Sequence, residues 1–542
     1  MSETVKSGLY PVVIVGGGPV GLTLSLTLAH FGIRSVLLER NPTTTSHPKM
    51  DITNGRSMEL FQRVGALDVM RSVATAPDAP FDVSWITTLN GHELARFIYP
   101  GSAGFEARIK GNNDGSQPHL APIRASQIMV EPALKALADR HPLIDVRFAV
   151  RCEDFTKTDE GFVINVRRAH DGKTEAVRGQ FLVGCDGGSS VVRGHLGIGL
   201  SGQSRLPERF ITHFRSNARH LLQRWGPSWH YQSSLGTLVA QNDWDTWTLL
   251  SRLPEGMTAA QANPSDLLAT FAGEPFDHSV MVCNAWSPNL LVADSYGAGR
   301  AFIAGDAAHQ YIPTGGYGMN TGIGDAVDIG WKLAATLHGF GGPGLVASYD
   351  AERRPVGARN LAGSGRHNAT RIEIASLYAG RDLGGAGSGP AREEVGARIA
   401  AIGNAENESY GIELGYWYAD SPIVCHEPGV EAPQDPLRYE PTTVSGVRLP
   451  TAILEDGVGL YDRLGQWFTL IHYGDPVAQA FADAAREMNL PLSLLDLQGS
   501  PLARQIHGGR TLLVRPDTHI AWRGMPGDEA DAAKVLRTAA GW

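Results

Sequence analysis

Three glycines and one acid carry the first chemical signal in the chain. Gly16, Gly18 and Gly21 recur in Gly16-Gly17-Gly18-Pro19-Val20-Gly21 at a spacing that lets a backbone close on a pyrophosphate. Glu39, about twenty residues further on, can accept hydrogen bonds from a ribose diol. Taken alone, such glycines also make ordinary tight turns, and the order of elements around them decides between the two. Pro11 to Val15 is an apolar, β-branched run suited to a strand, Leu22 to Gly32 continues at helical spacing, and Ser35 to Leu38 reads as a second strand that delivers Glu39. Strand, turn, helix, strand and acid in that order point to a dinucleotide site with the helix N-terminus turned to the phosphates. A carboxylate at position 39 also disfavours a 2'-phosphate on the adenosine held there.

A second glycine-bearing segment lies far downstream. Arg300 to Ala304 reads as a short strand, followed by Gly305-Asp306-Ala307-Ala308-His309, a break at Pro313, and Gly315-Gly316-Tyr317-Gly318-Met319-Asn320. The spacing predicts a helix from Gly322 to Leu337. Asp306 then stands at a strand end beside a helix N-terminus, where its carboxylate can take hydroxyl donors while the helix faces partial negative charge. This suits the second portion of one large cofactor.

Between the two sites, Asp51 to Val64 suits a helix after an extended start. Arg124-Ala125-Ser126-Gln127 opens an amphipathic stretch through Ala138, with Ile128, Leu134 and Leu137 as its buried stripe. Phe162 to Arg168 and Ala176 to Val183 form a hairpin about Asp171-Gly172 and lead into Gly184-Cys185-Asp186-Gly187. From Arg193 to Asp294 the runs are strand-like and rich in tryptophan, as expected of a sheet covering an aromatic ligand. Leu345 to Arg359 reads as a helix with a kink or break at Pro355, and the Pro- and Gly-bearing stretch from His426 to Pro441 as a boundary.

Composition narrows the class. The 542 residues are 42% hydrophobic and 19% charged, the balance of a globular protein of two or three lobes. A formal charge of -9 repels a phosphate backbone, so nucleic acid is not expected as a partner. Cys152, Cys185, Cys283 and Cys425 form no close pair, which reads as reduced thiols of a cytoplasmic protein rather than a disulfide framework or zinc site. No metal site is expected. Neither a leader sequence nor a membrane-spanning apolar run is seen, and no G-x-S-x-G elbow suggests hydrolysis.

Three separated blocks, VVIVGGGPVGL with Glu39, FLVGCDGGSSVVR, and RAFIAGDAAHQYIPTGGYGMNTGIGDAVDIGWKLA, resemble the aromatic-hydroxylase group of single-component flavoprotein monooxygenases. The resemblance spans most of residues 10 to 355. It implies an α/β fold with a Rossmann-like FAD-binding domain, an inserted mixed-sheet substrate domain and a thioredoxin-like C-terminal domain. On this division residues 1–190 and 291–440 are FAD-binding and helical regions, 191–290 the main substrate segment with further elements interleaved in 75–125, and 442–542 the last domain. The last has no Cys-x-x-Cys, which leaves folding, docking or homodimer contacts as its uses.

The same resemblance assigns roles. Gly16, Gly18 and Gly21 would serve the pyrophosphate, Glu39 the adenosine ribose and Asp306 the ribityl and phosphate side of FAD. Arg124 and Gln127 match cofactor-contacting positions, each with a helix-start or surface role as its competitor. Asp186 is either a ligand of the cofactor or a structural turn residue. Gly316, Gly318, Met319 and Asn320 would pass beside the isoalloxazine ring, with Pro313 shaping the approach or merely ending a loop. Asp51 stands where related phenol hydroxylases place an aspartate at the substrate hydroxyl; it is a catalytic base, or it caps the following helix through Asn54. Arg56 would hold Asp51 or FAD, or lie on the surface. His213, His230 and Tyr231 could orient a phenolic hydroxyl or fill the sheet as satisfied core residues.

The implied reaction is NAD(P)H- and O2-dependent hydroxylation of a phenolic or polycyclic aromatic substrate. NADPH or NADH docks transiently, and a C4a-hydroperoxyflavin passes its distal oxygen to an electron-rich ring carbon. The alternatives are Baeyer-Villiger-type oxygenation of a polycyclic ketone, a flavoprotein dehydrogenase, and an FAD-binding protein without catalysis.

Overall fold

The structure is a computed structural model describing residues 8–253, 256–525 and 530–542. Residues 1–7, part of the segment read above for a leader, lie outside the described residues. Among the described residues no helix is long and apolar enough to cross a membrane.

The strand Tyr10–Val15 sits at the centre of an eight-stranded sheet, paired in parallel with Thr174–Gly184 on one side and Ser35–Leu38 on the other. Ala301–Ile303 and Ile144–Arg147 extend the parallel set outward. Ser35–Leu38 is buried at all four positions, which is why a run of Val and Leu without polar alternation forms it. The connecting helix Pro19–His30 packs on the helix Tyr317–Leu337, and both are buried nearly all round. This brings the two glycine-bearing segments, about 300 residues apart, to one end of one sheet.

A second sheet of seven strands is mixed. Its order runs from Ser279–Trp286 through Arg209–Arg215, Thr246–Arg252, Gly236–Ala240 and His230–Ser233 to Val83–Ile86 and Glu93–Phe97, and of these six pairings among the described residues only His230–Ser233 with Val83–Ile86 is parallel. The C-terminal region forms its own four-stranded sheet in the order Leu492–Asp496, Phe468–His472, Thr511–Val514, Ile520–Gly524.

Three sequence expectations are corrected. The helix expected from Gly322 begins at Tyr317, because Gly316 takes the left-handed conformation (φ 66°) that starts it earlier. Pro355 does not end the helix, which runs Pro343–Ser376; the side chains of Glu352, Arg353, Val356 and Asn360 are buried around it, and this packing offsets the ~3 kcal/mol a helix-interior proline costs. In the helix Gln127–Asp139 the fully buried stripe is Val130, Leu134 and Ala138, while Ile128 and Leu137 are only half-buried.

Candidate functional site

One continuous cavity of about 1580 Å³ runs from the glycine turn of the first sheet to the underside of the second. At the near end Gly16 has φ 113°, and a Cβ there would lie 2.2 Å from the Cys185 carbonyl oxygen; one on Gly21 would lie 2.0 Å from the carbonyl oxygen of Gly16. The backbone therefore closes tightly on itself and presents the N-terminus of Pro19–His30, with Gly18 at its cap, to the cavity. Glu39 follows Ser35–Leu38, and its carboxylate accepts from Gly17 N–H at 2.7 Å and Asn41 N–H at 2.8 Å. Asp306, exposed in the turn after Ala301–Ile303, also lines the cavity, and its carboxylate has no hydrogen bond or ion pair among the described residues. A glycine cradle at a helix N-terminus with two carboxylates at strand ends fits a dinucleotide such as FAD.

Gly21→Val is expected to remove bound flavin, since the branched side chain would displace Gly16 from the turn. The check is the visible flavin absorbance of the purified variant beside its circular dichroism; a folded, yellow Gly21→Val protein would sink the assignment.

Pro313, Gly316, Gly318 and Met319 line the middle of the cavity. Asn320 is just behind them and staples the helix start: its Nδ2 donates to Gly316 O (2.7 Å) and Ile52 O (3.1 Å), while Oδ1 accepts from Asn54 N–H (3.1 Å). Gln127 also lines the cavity, with Nε2 donating to Glu131 Oε1 at 2.5 Å. Burial raises the Glu131 carboxyl. Sequence reasoning missed Glu131, although the i,i+4 step from Gln127 marks it.

Asp51 lies under the second sheet. Its carboxylate accepts from the Trp229 indole N–H, and its backbone oxygen from Ala125 N–H at 2.9 Å. Burial raises the carboxyl, and the Arg124 guanidinium and the indole offset part of that rise. Asp51 does not cap the next helix: Asn54 does so itself, accepting from Ser57 N–H at 2.9 Å. Arg56 is neither at Asp51 nor on the surface; it is buried against Glu59, Tyr416, Thr518 and the carbonyl of Asp517, tying its helix to the C-terminal region.

Strand alternation sorts the other candidates. His230 lines the cavity, stacked on Trp229 with ring centroids 4.0 Å apart, and burial, then Arg371 and Arg124, hold it well below the usual imidazole range. Its neighbour Tyr231 necessarily faces the other way, into an apolar core, and donates to Gly226 O. His213 is fully buried, with Nδ1 on Trp247 O (3.1 Å) and Thr248 Oγ1 (3.0 Å), and does not line the cavity. Both are corrected to core residues. Of the tryptophans, Trp229 and Trp286 line the cavity, Trp247 is core and Trp244 is exposed.

Asp186 and Arg124 make their hydrogen bonds within the chain. Asp186 borders the cavity, but its carboxylate accepts from Ser190 Oγ, Val191 N–H and Val192 N–H, the turn role among its two readings. Arg124 does not line the cavity; it is buried, donates to Ala240 O, and lies 5.8 Å from the ring centroids of Phe81 and Trp229. Across the cavity, Arg371 pairs with Glu406 at 2.7 Å, a wall that no local motif announced.

Residues 9–364 match the FAD binding domain family and residues 442–542 the family described as aromatic-ring hydroxylase, C-terminal. The chain is 35% identical to the FAD-dependent monooxygenase apdD of Emericella nidulans, over all of this chain and 91% of that protein. It is 30% identical to a 4-methyl-5-nitrocatechol 5-monooxygenase of a Burkholderia species, over 96% of this chain and 95% of that one. Among solved structures, the flavin-dependent monooxygenase PieE in complex with FAD and substrate superposes with a TM-score of 0.86 at 27% identity, covering 98% and 99% of the two chains.

Proposed function

The chain belongs to the single-component FAD-dependent aromatic hydroxylases, and from that premise we propose that it hydroxylates a phenol of more than one ring, held between the glycine-lined middle of the cavity and the seven-stranded sheet. It is an FAD- and O2-dependent monooxygenase of a phenolic or aromatic substrate, with NAD(P)H as reductant. Bound FAD supplies hydride acceptance and oxygen activation. The chain supplies binding, orientation and control of protons.

For the cofactor, Gly16, Gly18 and Gly21 would hold the pyrophosphate, Glu39 the adenosine ribose and Asp306 the ribityl chain. The N–H groups of Gly318 and Met319, at a helix N-terminus, would favour negative charge on the flavin's ring, with Pro313 as wall and Gln127 alongside. The observation that carries the substrate reading is that this cavity continues without a partition to Asp51, Trp229 and His230. Asp51 is positioned to hold the proton of a substrate hydroxyl, and neutral His230 to orient it. At about 1580 Å³ the cavity exceeds the roughly 300–1,000 Å³ of a single-ligand pocket, which leaves room for a multi-ring substrate beside the cofactor.

The C-terminal sheet has one parallel pair followed by two antiparallel strands, with helices Val477–Glu487 and Ala532–Ala539 packed together. That order supports a thioredoxin-like domain. All four cysteines precede it, so its use is docking rather than thiol exchange.

The test is a panel of single- and multi-ring phenols incubated with the yellow protein, NAD(P)H and isotopically labelled O2. A multi-ring phenol should accelerate NAD(P)H oxidation and gain one labelled oxygen as a ring hydroxyl. A lactone or ester product, or no label in the product, would overturn the reading.

A further inference from the structure

Arg124 occupies a place that its sequence position does not explain. It lies on the short strand Ile123–Arg124, which pairs antiparallel with Ile52–Thr53, so that Ala125 N–H bonds to Asp51 O at 2.9 Å and the Asp51 and Arg124 backbones run side by side. Arg124 is 2% exposed and its guanidinium faces Phe81 and Trp229; among the described residues it has a single hydrogen bond, to Ala240 O, and the buried Nε has no partner. A buried guanidinium with so few hydrogen bonds is costly unless an opposite charge is close. The carboxylate that meets this need is Asp51, held against the same Trp229 by the indole N–H.

We propose that Arg124 is a positioning residue for Asp51, keeping its carboxylate charged and aimed under the sheet, rather than a contact of the cofactor. This rests on Asp51 being the group that takes the substrate hydroxyl's proton. Arg124 first, then the Trp229 indole and a backbone hydrogen bond at Asp51, work against burial there. Around the pair, His230 stays neutral beside Trp229, Asp243 acts on Arg124, and Arg371 is neutralised by Glu406. With Arg124 removed, burial at Asp51 is opposed only by the hydrogen bonds that remain, and its titration must move to higher pH. An opposite charge within about 4–6 Å of a carboxyl is worth about one to three pH units.

Two readouts on the FAD-loaded full chain separate this claim from the one beneath it. The first is the carboxyl infrared band of Asp51, isolated by subtracting the spectrum of Asp51→Asn and followed against pH without substrate. Its midpoint should rise by at least one unit in Arg124→Met and in Arg124→Gln and stay near the wild-type value in Arg124→Lys, with FAD retained in all three. The two uncharged variants make the same prediction, so poor folding of one leaves the other decisive. An unmoved midpoint in Arg124→Met and Arg124→Gln, or loss of FAD from Arg124→Lys, overturns the proposal in favour of a structural or cofactor role. The second readout is the acidic limb of product formation with phenol as probe. A limb that survives in Asp51→Asn overturns the Asp51 reading and this one together; a limb abolished there but unshifted in Arg124→Met and Arg124→Gln overturns this one alone.

Discussion

Asp51→Asn is expected to slow oxygen transfer to the substrate ring by about 100-fold or more, the usual contribution of a placed base, while FAD binding stays near normal. A phenolate gives electrons to its ring better than a phenol does, so a group that takes or shares the hydroxyl proton accelerates attack on an electrophilic oxygen. Asparagine keeps the shape of the side chain but cannot hold that proton. Since slower transfer leaves activated oxygen to decay, a larger share of NAD(P)H should be spent on hydrogen peroxide. The pH dependence follows from burial, which raises the Asp51 carboxyl and is only partly offset by Arg124 and the Trp229 indole. Activity that needs the carboxylate therefore rises with pH through that raised value, and the variant should lose this limb. Rapid-mixing product analysis with a peroxide assay across pH measures all three, and an unchanged rate with unchanged coupling would refute a catalytic Asp51.

The parts of the site that could be read from sequence are those whose geometry is local. Strand, turn, helix and acid lie within one crossover, so Gly16, Gly21 and Glu39 stand at the turn and strand end their spacing requires. Asp306 was legible for the same reason, as the end of a short strand before a glycine turn. Facing was harder. His230 and Tyr231 are chemically comparable neighbours, and only the pairing of His230–Ser233 between Gly236–Ala240 and Val83–Ile86 decides which of them meets the cavity. His213 shows a further limit, since its imidazole is already engaged by Trp247 and Thr248 on the adjacent strand, a contact set by register. Arg56 and Arg124 failed for another reason: each is a buried cation whose partners, Thr518 and Asp517 for one and Ala240 for the other, are distant in sequence. A buried charge is placed by the whole fold.

The helix Pro343–Ser376 illustrates that point on the scale of the molecule, and Arg515 is where it is most exposed to test. Lys332 bonds Asp328 at 2.7 Å and Glu352 at 2.5 Å, and Arg515 reaches Glu352 at 2.6 Å, Asp517 at 2.6 Å and Asp328 at 3.3 Å. All five side chains are buried, and they join the helices Tyr317–Leu337 and Pro343–Ser376 to the turn after Thr511–Val514. Three carboxylates close enough to share a metal ion are here met by two cations of the chain itself. Burial pushes Asp328 up to about 7, whereas at Glu352 Arg515 and Lys332 outweigh burial and bring the carboxyl down to about 2. Asp517 is held well below its usual value against burial, by Arg515 first and His519 next. Arg515→Met keeps much of the side-chain volume but leaves buried carboxylates uncompensated, a change that costs about 3–5 kcal/mol. At pH 7 the variant should melt well below the wild type, with the C-terminal sheet the first part to become protease-sensitive. In the wild type the depressed carboxyl of Glu352 contributes stability above its unfolded value near 4 that is lost only as pH falls toward 2. Without Arg515 the folded carboxyls of Glu352 and Asp517 rise to join Asp328 above their unfolded values, so the variant gains relative stability as pH falls and they protonate. The gap in melting temperature between the two proteins should therefore narrow from pH 7 to pH 5. A gap that is small at pH 7, or that widens toward pH 5, would show that Arg515 does not hold these carboxylates in their charged state.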